Sequence, residues 1–202
     1  MKPLVLVTGP PATRSGYGAH TRDLIHSLIS MDRFDIHINS LRWGNTPWNA
    51  LNLQNEEDKL ILDRILKEPN LPREPDIHVQ VSIPSEFTPL AKYNIGVTAG
   101  MENTAPVPSW VDGMNKMDMV ICTSNFTRDT FKKVVYEQID KNTMNIVSPK
   151  KQIDELVKQI PNSMQTADLN LDKFANLGFL VNIGEKFIEN VEIDYRTNTA
   201  IL

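Results

Sequence analysis

Several absences limit what this chain can be. Cys122 is its one cysteine in 202 residues, so no intrachain disulfide forms and a reducing compartment fits. No apolar run approaches the roughly 18–20 residues that a membrane-spanning helix needs, and the run at 4–8 is too short for a signal peptide. A net charge of −4 disfavours nucleic acid as a partner. We therefore expect a cytoplasmic protein, of a cell or of a virus-infected host, with no membrane span.

Motifs for common cofactors are also missing. No Gly-Lys-Ser/Thr triplet is present, which excludes a Walker A loop. A dinucleotide fingerprint needs a third small residue where Thr21 stands. It also needs an acid at the end of the second strand, where the chain has Asn39 and Ser40, so nicotinamide cofactors are disfavoured. The histidines show no metal-ligand spacing and no Asp-x-Asp pair occurs. We expect neither a cofactor nor a metal ion.

The first part of the chain carries the clearest positive signal. Residues 4–8 form an apolar, β-branched run typical of a strand, and a Gly-Pro-Pro sequence ends it. A polar loop with Gly16 and Gly18 follows, and apolar residues then recur at helical spacing. This order is typical of the first unit of a parallel α/β sheet. Backbone N–H groups at the start of such a helix face the carboxyl edge of the sheet, where open α/β domains bind ligands, often anionic ones.

The alternation of strands and helices continues to about residue 145. The patterns predict strands at 34–40, 77–81, 93–99 and 119–123, and helices at 17–30, 56–67 and 127–137. We therefore predict an α/β fold, with a Rossmann-like doubly wound parallel sheet over residues 1–145. Residues 146–202 are predicted to form a short α+β C-terminal extension, with a helix at 150–160 and strands at 179–183 and 191–195.

Three stretches of the first domain are informative together. They are residues 16–24 (GYGAHTRDL), residues 94–102 (NIGVTAGME) with 108–111 (PSWV), and residues 117–126 (MDMVICTSNF). In this order, on alternating strands and helices, they resemble the N-terminal half of retaining, GT-B-type glycosyltransferases of the family-4-like group. The resemblance covers about residues 1–145.

The resemblance implies an enzyme with two Rossmann-like halves and an active site between them. Its N-terminal half mainly receives the acceptor, and its C-terminal half holds most of the contacts to the nucleotide-sugar. An enzyme of this kind is normally nearly twice as long as this chain of 202 residues. No second glycine loop and no Glu-x-x-Gly-x-Pro-like stretch follows residue 145. We therefore expect the donor half to be absent from the chain.

Nine residues are predicted to bind substrate: Gly16, Tyr17, Gly18, His20, Arg22, Gly100, Glu102, Ser124 and Asn125. The resemblance implies that the glycine loop lies beside the donor diphosphate. It also implies that Glu102 and the loop at 82–87 hold the acceptor, because a carboxylate accepts hydrogen bonds from two adjacent hydroxyls. Arg14 and Arg22 flank the glycine loop, where a guanidinium can pair with a diphosphate.

Purely structural roles compete with each of these assignments. The two glycines can serve only a tight turn. His20 can be a structural histidine, and Arg22 can be a solvated surface charge. Glu102 can cap a helix or lie at the surface, while Ser124 and Asn125 can cap the helix that follows them.

Two tryptophans lie in the polar segment after the second predicted strand. Trp43 and Trp48 show no clear period, so they either pack against the sheet edge or stack on a sugar ring. Cys122 lies in an apolar run, which predicts a buried core residue rather than a nucleophile.

The predicted function is a glycosyltransferase, which transfers a sugar from a nucleotide-sugar to a hydroxyl acceptor, or the acceptor-binding half of one. The alternative is a non-catalytic, glycosyltransferase-derived module that uses residues 146–202 to bind other chains or to form an oligomer. A nucleotide-binding Rossmann protein of unrelated chemistry is a further possibility.

Overall fold

A computed structural model describes residues 2–68, 70–99 and 105–136, together with the backbone of three short strands after residue 150. The strands of the main sheet are β1 (Leu4–Gly9), β2 (Asp35–Ser40), β3 (Ile77–Val81), β4 (Tyr93–Thr98) and β5 (Met119–Cys122). The helices are α1 (Gly16–Ser30), α2 (Glu56–Leu62), α3 (Pro108–Met114) and α4 (Asn125–Lys133). A one-turn 3₁₀ helix at Pro84–Glu86 follows β3.

The main sheet is entirely parallel, with strand order β2-β1-β3-β4-β5. The chain passes from β1 outward to β2 on one side, then crosses back to β3 and continues outward through β4 to β5 on the other. The direction of winding therefore reverses between β1 and β3. In open α/β sheets such a reversal opens a crevice at the carboxyl ends of the strands. This sheet with its flanking helices confirms the predicted Rossmann-like α/β fold.

Helices cover both faces of the sheet, and each face has its own apolar core. On one face, Leu24, Ile25 and Leu28 of α1 pack against the odd-numbered residues of the central strands. The other core contains Phe87 and residues of α3 and α4. Strand β5 contributes to both cores, because successive side chains of a strand point to opposite faces.

Cys122 lies in the second core, as predicted. Its side chain is buried, and burial raises the pKa of the thiol to about 12. A nucleophilic cysteine needs an accessible thiolate, so Cys122 acts as a small apolar residue here.

Helix α2 is shorter than the predicted helix at 56–67. It ends at Leu62, and Ile65 then lies beside Ile38 of β2 in a parallel bridge. The backbone N–H of Ile38 donates to the Arg64 carbonyl, and that of Leu66 donates to the Ile38 carbonyl, both at 2.9 Å. These bonds place the chain at the position of an extra edge strand next to β2. With that position counted, the strands follow the order 3-2-1-4-5-6 that is typical of Rossmann domains.

One glycine of the second core is required by a close approach of two backbones. A Cβ atom on Gly113 of α3 would lie 1.7 Å from the carbonyl oxygen of Pro84. The contact brings α3 directly onto the 3₁₀ helix, which holds the connection after β3 in place. A side chain at this position would force the two elements apart.

Four further short strands form two pairs, at the end of this domain and beyond it. Strand β6 (Val135–Tyr136) pairs antiparallel with β7 (Lys151–Gln152), and β8 (Glu192–Asp194) pairs antiparallel with β9 (Thr199–Ile201). The β8 strand agrees with the strand predicted at 191–195, whereas β7 occupies the start of the helix predicted at 150–160. The strand predicted at 179–183 lies outside the described residues.

We predict that Gly113→Ala destabilises the protein by about 2–3 kcal/mol, the upper part of the range of about 1–3 kcal/mol found for overpacked sites. The reason is the carbonyl oxygen of Pro84, which cannot move away as a flexible side chain can. Urea unfolding followed by circular dichroism measures the change.

Gly16→Ala is the matched control for this substitution. Its Cβ atom meets no heavy atom of the described residues within 4 Å, and alanine favours helices by about 1 kcal/mol over glycine. The control is therefore expected to be neutral or stabilised. A Gly113→Ala protein as stable as the parent would contradict the packing described above.

The stability of the protein is also expected to depend on pH. His78 of β3 has no exposed surface and its Nε2 lies 2.9 Å from Thr8 Oγ1. Burial lowers the pKa of His78 from 6.5 to about 4. Between these values the unfolded chain binds a proton at this site and the folded chain does not. The free energy of unfolding therefore falls as the pH falls from 6.5 towards 4, by at most about 1.4 kcal/mol per pH unit for one histidine.

Urea unfolding at a series of pH values between 7 and about 4.5 measures this slope. His78→Gln is expected to reduce it, because glutamine does not titrate. An unchanged slope in the variant would show that His78 is not the group responsible.

Candidate functional site

The parallel sheet gathers the connections that follow its strands at one edge. Two hydrogen bonds join neighbouring connections there. The backbone N–H of Leu41, after β2, donates to the carbonyl of Gly9 at 2.7 Å. The side chain of Thr123, after β5, donates to the carbonyl of Ala99 at 2.5 Å. These bonds join the end of β1 to that of β2, and the end of β4 to that of β5, on either side of the β1–β3 crevice.

The loop between β1 and α1 is closed by its own hydrogen bonds. The backbone N–H of Thr13 donates to the carbonyl of Pro10 at 3.1 Å, and the Thr13 hydroxyl lies 2.8 Å from the Ser15 hydroxyl. Ser15 is the N-cap of α1, and its Oγ accepts from the backbone N–H of Gly18 at 2.9 Å. This cap binds the amide of Gly18. The first backbone hydrogen bond of the helix is donated by Ala19, so the amides of Gly16 and Tyr17 lie ahead of it.

The two glycines of this loop differ in how closely other atoms approach them. A Cβ atom on Gly18 would lie 2.3 Å from the carbonyl oxygen of Thr13, so Gly18 is required by the close approach of helix and loop. Gly16 is exposed at the first position of α1, and a Cβ atom there would meet no described atom within 4 Å. Packing therefore explains Gly18 and leaves Gly16 unexplained.

Tyr17 joins three parts of the sheet edge. Its hydroxyl lies 3.1 Å from Thr98 Oγ1 and accepts from the backbone N–H of Ala99 at 3.1 Å, at the end of β4. Its ring stacks on Trp43, with ring centroids 4.3 Å apart. Tyr17 thus holds the start of α1 between the connection after β2 and the end of β4.

Both arginines near the glycine loop bind backbone or side-chain oxygens of the protein itself. Nη1 of Arg22 donates to the carbonyls of Pro11 and Thr13 at 2.7 and 3.0 Å. Nε of Arg14 donates to Oδ1 of Asn49 at 2.9 Å. The two guanidinium groups therefore position the loop and place positive charge beside it.

His20 lies on α1 one turn after the glycine loop, and it is partly buried. Burial lowers the pKa of His20 to about 4. Its imidazole is therefore neutral near pH 7. A neutral imidazole can hydrogen-bond to a hydroxyl but does not provide a charge for an anion.

The predicted residues after β5 take the positions of a helix start. Ser124 is the N-cap of α4, and its Oγ accepts from the backbone N–H of Thr127 at 3.1 Å. Asn125 is the first residue of α4 and is exposed. Gly100 and Glu102 lie outside the described residues.

Part of the sheet edge is formed by the segment after β2, whose contacts with the glycine loop were not predicted from the sequence. The segment after β2 runs alongside the glycine loop: the backbone N–H of Arg14 donates to the Pro47 carbonyl, and that of Ala50 donates to the Ala12 carbonyl, both at 3.0 Å. These contacts join residues more than 30 positions apart in the sequence. The segment has no repeating sequence pattern, so the sequence alone does not predict these contacts.

The arrangement offers backbone amides, hydroxyls and neutral polar groups around an open position at Gly16. In the ranges 2–68, 70–99 and 105–136, no group of three histidine, cysteine or acidic residues is placed to hold a metal ion. No helix of these ranges has both the length and the apolar character needed to cross a membrane. Comparisons with family models, curated proteins and solved structures find no match for the chain.

We predict that Tyr17→Phe loosens the junction between α1 and β4. The variant loses the hydroxyl that binds Thr98 and the Ala99 amide. Such a loss costs about 1 kcal/mol, and the Ala99 amide should exchange its hydrogen faster. Hydrogen exchange followed by NMR measures the second effect at a single residue.

Tyr93→Phe is the matched control. The Tyr93 hydroxyl is buried and has no hydrogen-bond partner among the described residues. Its removal should therefore leave stability unchanged or raise it. If both variants behave alike, the Tyr17 hydroxyl does not contribute the contact assigned to it.

Proposed function

We propose that this chain is the acceptor-side part of a glycosyltransferase that moves a sugar from a nucleotide-sugar to a hydroxyl acceptor. The family resemblance of residues 16–24, 94–102 with 108–111, and 117–126 suggests this reaction class. The observation that supports it most strongly is the open position at Gly16. It lies at the first turn of a 15-residue helix, at the carboxyl edge of a parallel sheet.

The chemistry of this position suits a diphosphate. Amides at the first turn of a helix donate to anionic oxygens, and the helix dipole adds a partial positive charge. Arg22 and Arg14 are held beside the loop and increase the positive potential without needing to touch the ligand. A diphosphate gains negative charge as it leaves the sugar, so this environment stabilises the departing group.

In this proposal the acceptor binds at the same edge of the sheet. The neutral imidazole of His20 and the hydroxyls near the end of β5 are suitable partners for acceptor hydroxyls, because hydroxyl groups both donate and accept hydrogen bonds. Glu102 is also proposed to bind the acceptor, on the basis of the family resemblance alone. No residue is assigned a catalytic role.

Calorimetric titration with UDP-glucose and GDP-mannose tests the proposal. Gly16→Val is expected to weaken binding at least tenfold, because its side chain occupies the space that a phosphate needs. Uridine is expected to bind more weakly than UDP if the amides of α1 hold the diphosphate.

Ser30→Val is the matched control, since it introduces the same β-branched side chain at the exposed last residue of α1. It should bind as the parent does. Binding that Gly16→Val leaves unchanged would contradict the proposal. So would absence of binding together with a stable oligomer in light scattering, which would favour an assembly module.

A further inference from the structure

The two tryptophans of the connection after β2 have different environments. Trp43 is partly buried and stacks on Tyr17, so its ring has a structural partner. Trp48 is 49% exposed and belongs to neither apolar core. Stacking on Tyr17 therefore explains the first tryptophan and not the second.

The backbone that carries Trp48 is fixed on both sides of the ring. The carbonyl of Pro47 accepts from the N–H of Arg14, and the N–H of Ala50 donates to the carbonyl of Ala12, both at 3.0 Å. A tight turn at Gly44, with a φ of 51°, and a bond from the Thr46 N–H to the Trp43 carbonyl shape the segment before it. The exposed ring is thus held next to the glycine loop before any ligand arrives.

The surroundings of the Trp48 ring define its chemistry. The guanidinium carbon of Arg42 lies over the ring, 5.1 Å from its centroid, which is the geometry of a cation–π contact. The side chain of Asn49, next in sequence, is itself fixed by Arg14 through a hydrogen bond of 2.9 Å. The guanidinium therefore covers one face of the ring, so a ligand that stacks on Trp48 meets the opposite face, and the neighbouring Asn49 amide can bind hydroxyl oxygens.

We propose that Trp48 and Arg42 form a stacking platform for a sugar ring of the acceptor, an inference that rests on the proposed function. The face of an aromatic ring carries partial negative charge. The C–H bonds on one face of a pyranose carry partial positive charge and lie nearly in a plane, so the two surfaces match. The acceptor is accordingly a carbohydrate or a glycoside rather than a hydroxyl on a protein side chain.

The neighbouring amide favours a sugar over a nucleobase as the stacked ring. A sugar has hydroxyls around its whole edge, and these can pair with the amide of Asn49, while Arg42 holds the Trp48 ring from its other face. Ligand sites commonly combine an aromatic surface with a few polar groups that fix orientation. The platform lies beside the first turn of α1, so a stacked acceptor sits next to the position proposed for the diphosphate.

The indole N–H signals in a ¹⁵N–¹H NMR spectrum test this proposal directly. The chain has three tryptophans, so three such signals are expected, and Trp48→Ala identifies one by removing it. Maltose, methyl α-mannoside, N-acetylglucosamine and uridine serve as probes. At least one of the three sugars is expected to shift the Trp48 signal in a saturable manner and leave that of Trp110 in place.

Saturation-transfer NMR then compares sugar binding in the variants. Trp48→Ala is expected to weaken binding at least tenfold, and Arg42→Ala is expected to weaken it less. Leu53→Ala is the matched control, because Leu53 is a large apolar residue of the same connection and is 75% exposed. It should bind the sugar as the parent does.

The outcomes separate this proposal from the proposed function. If none of the three sugars shifts the Trp48 signal, or if only uridine does, the sugar platform is wrong. If nucleotide-sugar binding depends on Gly16 while Trp48→Ala changes no sugar binding, the platform is wrong and the proposed function stands. If a sugar binds at Trp48 but no nucleotide-sugar binds at all, the platform stands as a carbohydrate site and the glycosyltransferase assignment is wrong.

Discussion

The close approach of α1 to the loop before it is the constraint on which the candidate site depends. It requires glycine at position 18, since a Cβ atom there would lie 2.3 Å from the carbonyl oxygen of Thr13. With the helix held at this distance, Ser15 caps its first turn and Tyr17 reaches the end of β4. A helix displaced by the width of one methyl group would lose both contacts. The amides of α1 are therefore placed at the sheet edge by packing, and any ligand meets them already in position.

Local patterns were sufficient to predict the five strands of the main sheet and helix α1, whereas helix α3 was not predicted. The strands of the sheet and helix α1 have clear apolar periods, and these determine which face each residue buries. The end of α2 was predicted wrongly because apolar residues continue at helical spacing past Leu62. There the parallel bridge between Ile38 and Ile65 decides the structure instead. Such a bridge depends on a partner 27 residues away, which no short window of sequence contains.

At the site, too, features formed by neighbouring residues were predictable, and contacts between residues distant in sequence were not. The glycine loop was predictable because its residues are adjacent in sequence and follow a strand. The partners of Tyr17 were not, because Thr98 and Ala99 lie 81 and 82 positions away. The roles of the arginines also depend on distant geometry. Arg14 reaches Asn49 across 35 positions, and its sequence position alone is compatible with a free cation or a ligand contact.

The strongest reason to look for a ligand at this edge comes from comparing Gly16 with Gly18 and Trp48 with Trp43. In each pair the fold accounts for one member: Gly18 is required by a backbone contact, and Trp43 stacks on Tyr17. Among the described residues, no atom lies within 4 Å of a Cβ at Gly16, and Trp48 is 49% exposed with the Arg42 guanidinium over one face, although both lie on backbone that hydrogen bonds hold in place. Open space above a helix start and an exposed aromatic ring are complementary features, because one suits an anion and the other suits an apolar ring face. A glycoside acceptor next to a nucleotide-sugar presents both chemistries, whereas an uncharged or purely anionic ligand would use only half of the edge.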